Sequence, residues 1–167
     1  MALCEMRVET IIVDPFSKNP IVILRTVDGA EEPQILPIWV GSNEANAIAM
    51  GLENISLPRP LTHDLMKSLL DHLDARVERV IINSLEDSTY YALIELQVRG
   101  ERMQVDARPS DAIALALRAK SSIFVEGSVL DQSREYRLSE KEGESEEERL
   151  RRWLETLRPE DFGEYKM

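Results

Sequence analysis

The sequence predicts an α+β domain with a mixed, mainly antiparallel sheet, three core helices and an appended C-terminal helix. Three observations carry this. Period-two apolar patterns fill much of residues 6–40 and 76–107. Stripes at helical spacing fill residues 45–52 and 65–73, and 112–117 is a helical segment apolar on every side. The strands come in blocks and do not alternate one for one with helices, which argues against a doubly wound sheet.

The elements follow in order. Met6, Val8, Thr10 and Ile12 alternate with Arg7, Glu9, Ile11 and Val13 until Asp14-Pro15 breaks the strand. Asn19-Pro20 marks a loop before the apolar run Ile21-Val22-Ile23-Leu24. Asp28-Gly29 is a turn signal, and Ile35 to Val40 is a third strand. Gly41-Ser42 opens a helix whose stripe is Ala45, Ile48, Ala49 and Leu52. Leu57-Pro58-Arg59-Pro60 is a stiff connector, because each proline fixes φ and pushes its predecessor toward extended geometry. Thr62 starts a second helix, with Leu65, Met66, Leu69, Leu70 and Leu73 expected on its buried side.

Strands return at Arg76 to Ser84 and Thr89 to Val98. Arg99-Gly100-Glu101 is a hairpin turn candidate, after which Met103, Val105 and Ala107 alternate with Gln104 and Asp106. A third helix follows Pro109; Ala112 to Leu117 is apolar on every side and expected to be buried all round. Ile123 to Val125 adds a short strand. Residues 1–131 therefore form the main domain, 132–144 a polar linker, and 145–167 a C-terminal helix and tail. In the tail, Ser145 with Glu148 fits a capping box, Leu150, Trp153, Leu154 and Leu157 form a stripe, and Pro159 stops the helix.

Composition excludes several classes. The chain has 167 residues, 43% of them hydrophobic, and a formal net charge of −11. Cys4 is the single cysteine, so an internal disulfide or a cysteine-rich zinc module is impossible. No run approaches the roughly 20 apolar residues of a membrane helix. The first residues lack the basic and apolar regions of a signal peptide, so a cytoplasmic location without membrane association is expected. The acidic balance argues against coating nucleic acid by bulk charge.

No phosphate loop, dinucleotide fingerprint, zinc-protease motif or nucleophile elbow occurs. His63 and His72 are nine residues apart on one helix, on opposite faces, and cannot share a metal. Three segments stand out, each where a helix begins: Gly41 to Ala45, Arg59 to Asp64, and Asp106 to Ala112. Glu44, Asp64, Asp106 and Asp111 are candidate oxygen donors for a divalent cation, with Glu44, Asp64 and Asp106 the nominated metal ligands. His63 is the candidate acid/base, since histidine ordinarily titrates near neutrality. Asp64, Asp106 and Asp111 join it as catalytic candidates. Arg59 and Arg108, each beside a proline, are candidates for holding phosphate oxygens, with Thr62 and Ser110 as hydroxyl contacts. A plainer account competes with this one. Hydroxyls and acids are the usual residues at helix starts, where they satisfy free N–H groups and face the positive dipole end. Asp106 fits it least, since it sits in strand alternation.

Leu36-Pro37-Ile38-Trp39-Val40-Gly41 leading to Glu44-Ala45, then Pro58 to Leu65, then Asp106-Ala107-Arg108-Pro109-Ser110-Asp111-Ala112-Ile113-Ala114-Leu115-Ala116 resemble the bifunctional nuclease domain family. The resemblance covers roughly residues 3–131. It implies a compact α+β domain that forms homo-oligomers, with a dimer expected, and nuclease activity on DNA and RNA. It points to Glu44, Arg59, Thr62, His63, Asp64, Asp106, Arg108, Ser110 and Asp111 as the site, with nucleic acid as partner. Chemistry of this kind commonly uses Mg or Mn. Two functional readings remain open at this point: a metal-assisted phosphodiesterase, and a non-catalytic oligomeric binding or regulatory module.

Overall fold

The computed structural model describes residues 2–31, 33–139 and 154–155. Seven strands form one sheet in the order β3-β2-β1-β7-β4-β5-β6. They are β1 (Leu3–Val13), β2 (Pro20–Thr26), β3 (Ile35–Trp39), β4 (Ala75–Glu86), β5 (Thr89–Val98), β6 (Glu101–Ala107) and β7 (Ser122–Glu126). Every pair is antiparallel except β4 with β7. The helices are α1 (Ser42–Leu52), α2 (Thr62–His72), α3 (Pro109–Ala119) and α4 (Gly127–Ser139). The expected α+β class is what the chain adopts.

The sheet is closed at its centre by β7, the last strand in sequence. It runs between β1 and β4, and joins two meanders that are each local in sequence. Two tight turns make the second meander. Asp87 and Ser88, and then Arg99 and Gly100, all have positive φ. Paired positive φ values match the right-handed twist of the strands they connect.

Alternation along the strands sorts residues between the faces. Val22, Leu24, Leu36, Ile38, Val80, Ile82, Ala92 and Ile94 join the core under the helices. α3 lies deepest: Ala112, Ile113, Ala114, Leu115 and Ala116 are all essentially inaccessible, as their continuous apolar run predicts. Their small side chains let α1 come close. A Cβ on Gly51 of α1 would lie 3.1 Å from Leu117 Cβ and 2.9 Å from Arg118 Nη1 of α3. Ile21 and Ile23 point to the opposite face, where Ile12, Ile35 and Leu154 pack on them. One residue of the C-terminal stripe thus lies against the sheet.

Two expectations need correction. α2 does not bury its whole leucine stripe. Met66 and Leu70 pack on the core, but Leu65, Leu69 and Leu73 are exposed by 49%, 55% and 62%. The helix lies at the margin of the layer, so only one narrow edge of its broad apolar side meets α3 and β4. The stretch 132–139, read as linker, continues α4. Val129 and Leu130 anchor that helix in the core and Ser133 is buried, while Asp131, Gln132 and Arg134 are exposed. The capping box at Ser145 and Glu148, and Trp153 and Leu157, lie outside the described residues.

Candidate active site at three helix starts

α1, α2 and α3 begin in the same way. Their N-caps are Gly41, Leu61 and Arg108, each extended and none capping with its side chain. The hydroxyls Ser42 and Thr62 stand one position later, so the expected hydroxyl caps do not form. What the helices share is a carboxylate at the third position: Glu44, Asp64 and Asp111. The positive end of each helix favours it there.

The three carboxylates turn different ways. Asp64 Oδ2 accepts the Leu61 N–H at 3.0 Å, and Oδ1 accepts Arg118 Nε at 2.7 Å. Burial opposes the charge of Asp64, but the Arg118 guanidinium and the Leu61 amide outweigh it and hold the carboxyl below its ordinary pKa. Arg118 Nη1 also donates to Ala47 O at 3.1 Å and Ala114 O at 2.9 Å. One arginine thereby ties α1, α2 and α3 together.

Asp111 receives two donors from one guanidinium and one from an imidazole. Arg108 Nε donates to Oδ2 at 2.8 Å and Nη2 to Oδ1 at 3.2 Å. His63 Nε2 lies 2.9 Å from Oδ1. Arg108, ahead of burial in the opposite sense and then His63, lowers the Asp111 pKa. An ionised carboxylate can only accept, so Nε2 carries a proton, and a neutral imidazole in this pose has its lone pair on Nδ1. Arg108 Nη1 reaches across to Glu44 Oε1 at 3.3 Å. Glu44 folds back over Gly41, and a Cβ there would collide with its carboxylate. The glycine is the condition for that pose.

Glu44, His63, Arg108 and Asp111 therefore form one connected cluster, assembled from residues up to 67 positions apart in sequence. His63 is buried, while the Arg108 side chain is 63% exposed. Ser110 is buried beside Asp111 on α3. Arg59 and Thr62 are exposed. Arg59 makes no ion pair or hydrogen bond among the described residues.

Asp106 is not brought to the cluster. In the β5–β6 register Ala92 faces Ala107 and Leu93 faces Asp106. Ala92 and Ala107 belong to the core under the helices. Alternation therefore sends Asp106 to the other face of the sheet. Nor do the nominated metal ligands converge. Among the described residues no three of His, Cys, Asp and Glu are placed to hold one ion. Between Glu44 and Asp111 stands a guanidinium, which already supplies positive charge. The donor set in this arrangement does not fit a metal centre. Sequence reasoning missed Arg118, because a single arginine inside an apolar helix gives no signal until its partners are known.

An α+β domain with an Asp–His pair and an exposed arginine at converging helix starts is the class defined by these observations. A family model described as "Bifunctional nuclease domain" matches residues 22–137, and the chain belongs to that family. It is 36% identical over 165 residues to an uncharacterized protein of Mycobacterium tuberculosis, covering 95% of this chain and 97% of that one. It is 33% identical over 114 residues to Bifunctional nuclease 2 of Oryza sativa subsp. japonica, and 28% over 113 residues to Bifunctional nuclease 1 of Arabidopsis thaliana. Each of these matches takes in 66% of this chain and 34% of the plant protein. No helix among the described residues is long and apolar enough to cross a membrane.

Proposed function

We propose that the chain is a nuclease that hydrolyses phosphodiester bonds in DNA or RNA at the Glu44–Arg108–Asp111–His63 cluster. The observation that carries this is the 2.9 Å contact of His63 Nε2 with Asp111 in a nuclease-family domain. Asp111 holds the ring in the tautomer whose Nδ1 takes a proton. The oxygen of water attacks phosphorus, and its proton passes to His63. The bond from phosphorus to the leaving sugar oxygen breaks, and the imidazolium returns the proton to that oxygen. Arg108 stabilises the added negative charge on the phosphoryl oxygens, and Glu44 orients it. No step is assigned to Mg or Mn.

The test is a cleavage assay on highly purified protein, with Mg, with Mn and with chelator. His63→Ala is expected to lose about 100-fold or more in rate, the usual worth of an acid/base group. Asp106→Asn separates the two placements of that residue. Retained cleavage fits the cluster, and loss would require the carboxylate to act from across the sheet. Wild-type protein as inactive as His63→Ala would leave the second reading, a non-catalytic module. One observation favours that alternative: Asp111 and Glu44 are already bonded within the protein, so the cluster closes on itself.

Self-association is part of the proposal. Leu65, Leu69 and Leu73 are exposed by 49–62%, and at helical spacing of four they lie along one side of α2 and its C-cap. A two-fold pairing of this stripe would bury it on both copies. Leu65→Glu with Leu69→Glu is expected to yield monomers in sedimentation; an unchanged mass for the double variant would reject this face.

A further inference from the structure

An open cleft of about 390 Å³ lies on the helix layer, away from the Arg108 pair. It is formed by the C-terminal parts of α1 and α3 and one side of α2. Met50, Ile55 and Leu117 give it apolar walls, and Asn54, Ser68 and His72 give it a polar rim. Arg118 lines it with a side chain only 9% exposed. Nε and Nη1 of that arginine are committed to Asp64, Ala47 and Ala114. Nη2 has no protein partner among the described residues, so its two N–H groups are the part left for the cleft.

Charge narrows the choice of ligand. Arg118 is paired with Asp64, and Lys67 with Asp71. The lining is thus neutral overall while rich in fixed donors and acceptors. His72 Nδ1 lies 2.7 Å from Ser68 O, a carbonyl, so it donates. Its Nε2 is left as an acceptor in the neutral ring. A neutral lining does not draw a phosphate. It suits a flat group with apolar faces and a polar edge.

We propose that this cleft receives one unpaired base of a nucleic-acid strand. The identity of the ligand rests on the nuclease reading; the cleft itself does not. The faces of the base lie against Met50, Ile55 and Leu117. Its edge meets Arg118 Nη2, Asn54, Ser68 and His72, the mixture of stacking and edge contacts by which single strands are held. Phosphates stay outside, which lets a chain of net charge −11 bind a polyanion.

The experiment is an amide NMR titration of the full chain with adenosine, with cytidine and, separately, with inorganic phosphate. A nucleoside is expected to shift Gly51, Asn54, Ser68 and Arg118 saturably, and phosphate is not. Ser68→Trp, which fills the cleft, is expected to weaken binding about tenfold or more. Should that variant fail to fold, Asn54→Ala serves, with a several-fold loss expected. Shifts that do not saturate, shifts centred on His63 and Arg108, or unchanged binding in a folded Ser68→Trp protein would overturn the proposal. The two readings fail separately. Nucleoside binding by a protein that cleaves nothing leaves the cleft and removes the nuclease. Cleavage without nucleoside binding does the reverse.

Discussion

Asp111 is bonded by three nitrogens from two side chains, and its charge is part of what holds α2 to α3. Its folded pKa is depressed, principally by Arg108. A depressed carboxyl contributes stability that is fully present above its unfolded pKa. That contribution is lost as pH falls through the lower folded value. Wild type is therefore expected to lose stability steeply below about pH 4. Asp111→Asn should be less stable near neutrality by about 1.5–3 kcal/mol, the range for hydrogen bonds to a charged group. Its stability should also fall less between pH 5 and the acid range, and denaturant melts of both proteins across that range check the sign. Parallel curves would mean that Asp111 titrates alike in both states. His63, Asp64, Arg108 and Asp111 were all legible as candidates in the sequence, because acids and a histidine crowd the helix starts. Which of them meet was not legible. The short-range pattern that puts an acid at the third helical position is the same in all three helices.

At the scale of the element, α1, α2 and α3 are held by one arginine as much as by apolar contact. Arg118→Met keeps much of the volume but strands Asp64 and frees two backbone carbonyls. It is expected to cost about 1.5–3 kcal/mol, the range for hydrogen bonds to a charged group, since Asp64 is only partly buried. Thermal unfolding compared with Asp64→Asn, which should cost less, measures it. Gly41→Ala tests the other end. Its Cβ must displace the Glu44 carboxylate, so the Glu44–Arg108 bond is expected to break while the fold persists. A crystal structure of the variant with that bond intact would contradict this. The helices and strands themselves could be read from periodicity. α2 could not be placed, because a periodicity says which side is apolar and not whether a neighbour covers it. α4 was missed because buried positions such as Val129, Leu130 and Ser133 are interspersed among many polar residues in its sequence.

For the whole molecule, charge sets how it meets a polyanion. The net −11 is spread over the chain, with 10 acidic and 6 basic residues in 139–167 leaving −7 for the rest. Among the described residues, Arg59, three positions before α2, and Arg108 are the exposed cations at the helix starts. Substrate association is therefore expected to be weak and to fall as salt rises, with a slope reflecting about one or two phosphate contacts. Filter binding from about 20 to 200 mM salt tests this. Tight binding that ignores salt would mean that contacts other than those to phosphates carry the affinity.

The sequence by itself determined the class of fold, the buried α3, the hairpin at Arg99-Gly100 and the membership that the motif from Asp106 to Ala116 announces. These are local properties: period, turn chemistry and a contiguous run of residues. Only the tertiary structure decided the site. His63 and Asp111 are 48 positions apart, and their meeting depends on how α2 crosses α3. Asp106 is five residues from Asp111, yet lies across the sheet from it, because a strand sends neighbouring side chains to opposite faces. Closeness in the chain is set by covalent bonds. Convergence on one site is set by which apolar faces pack, and that is a property of the whole core.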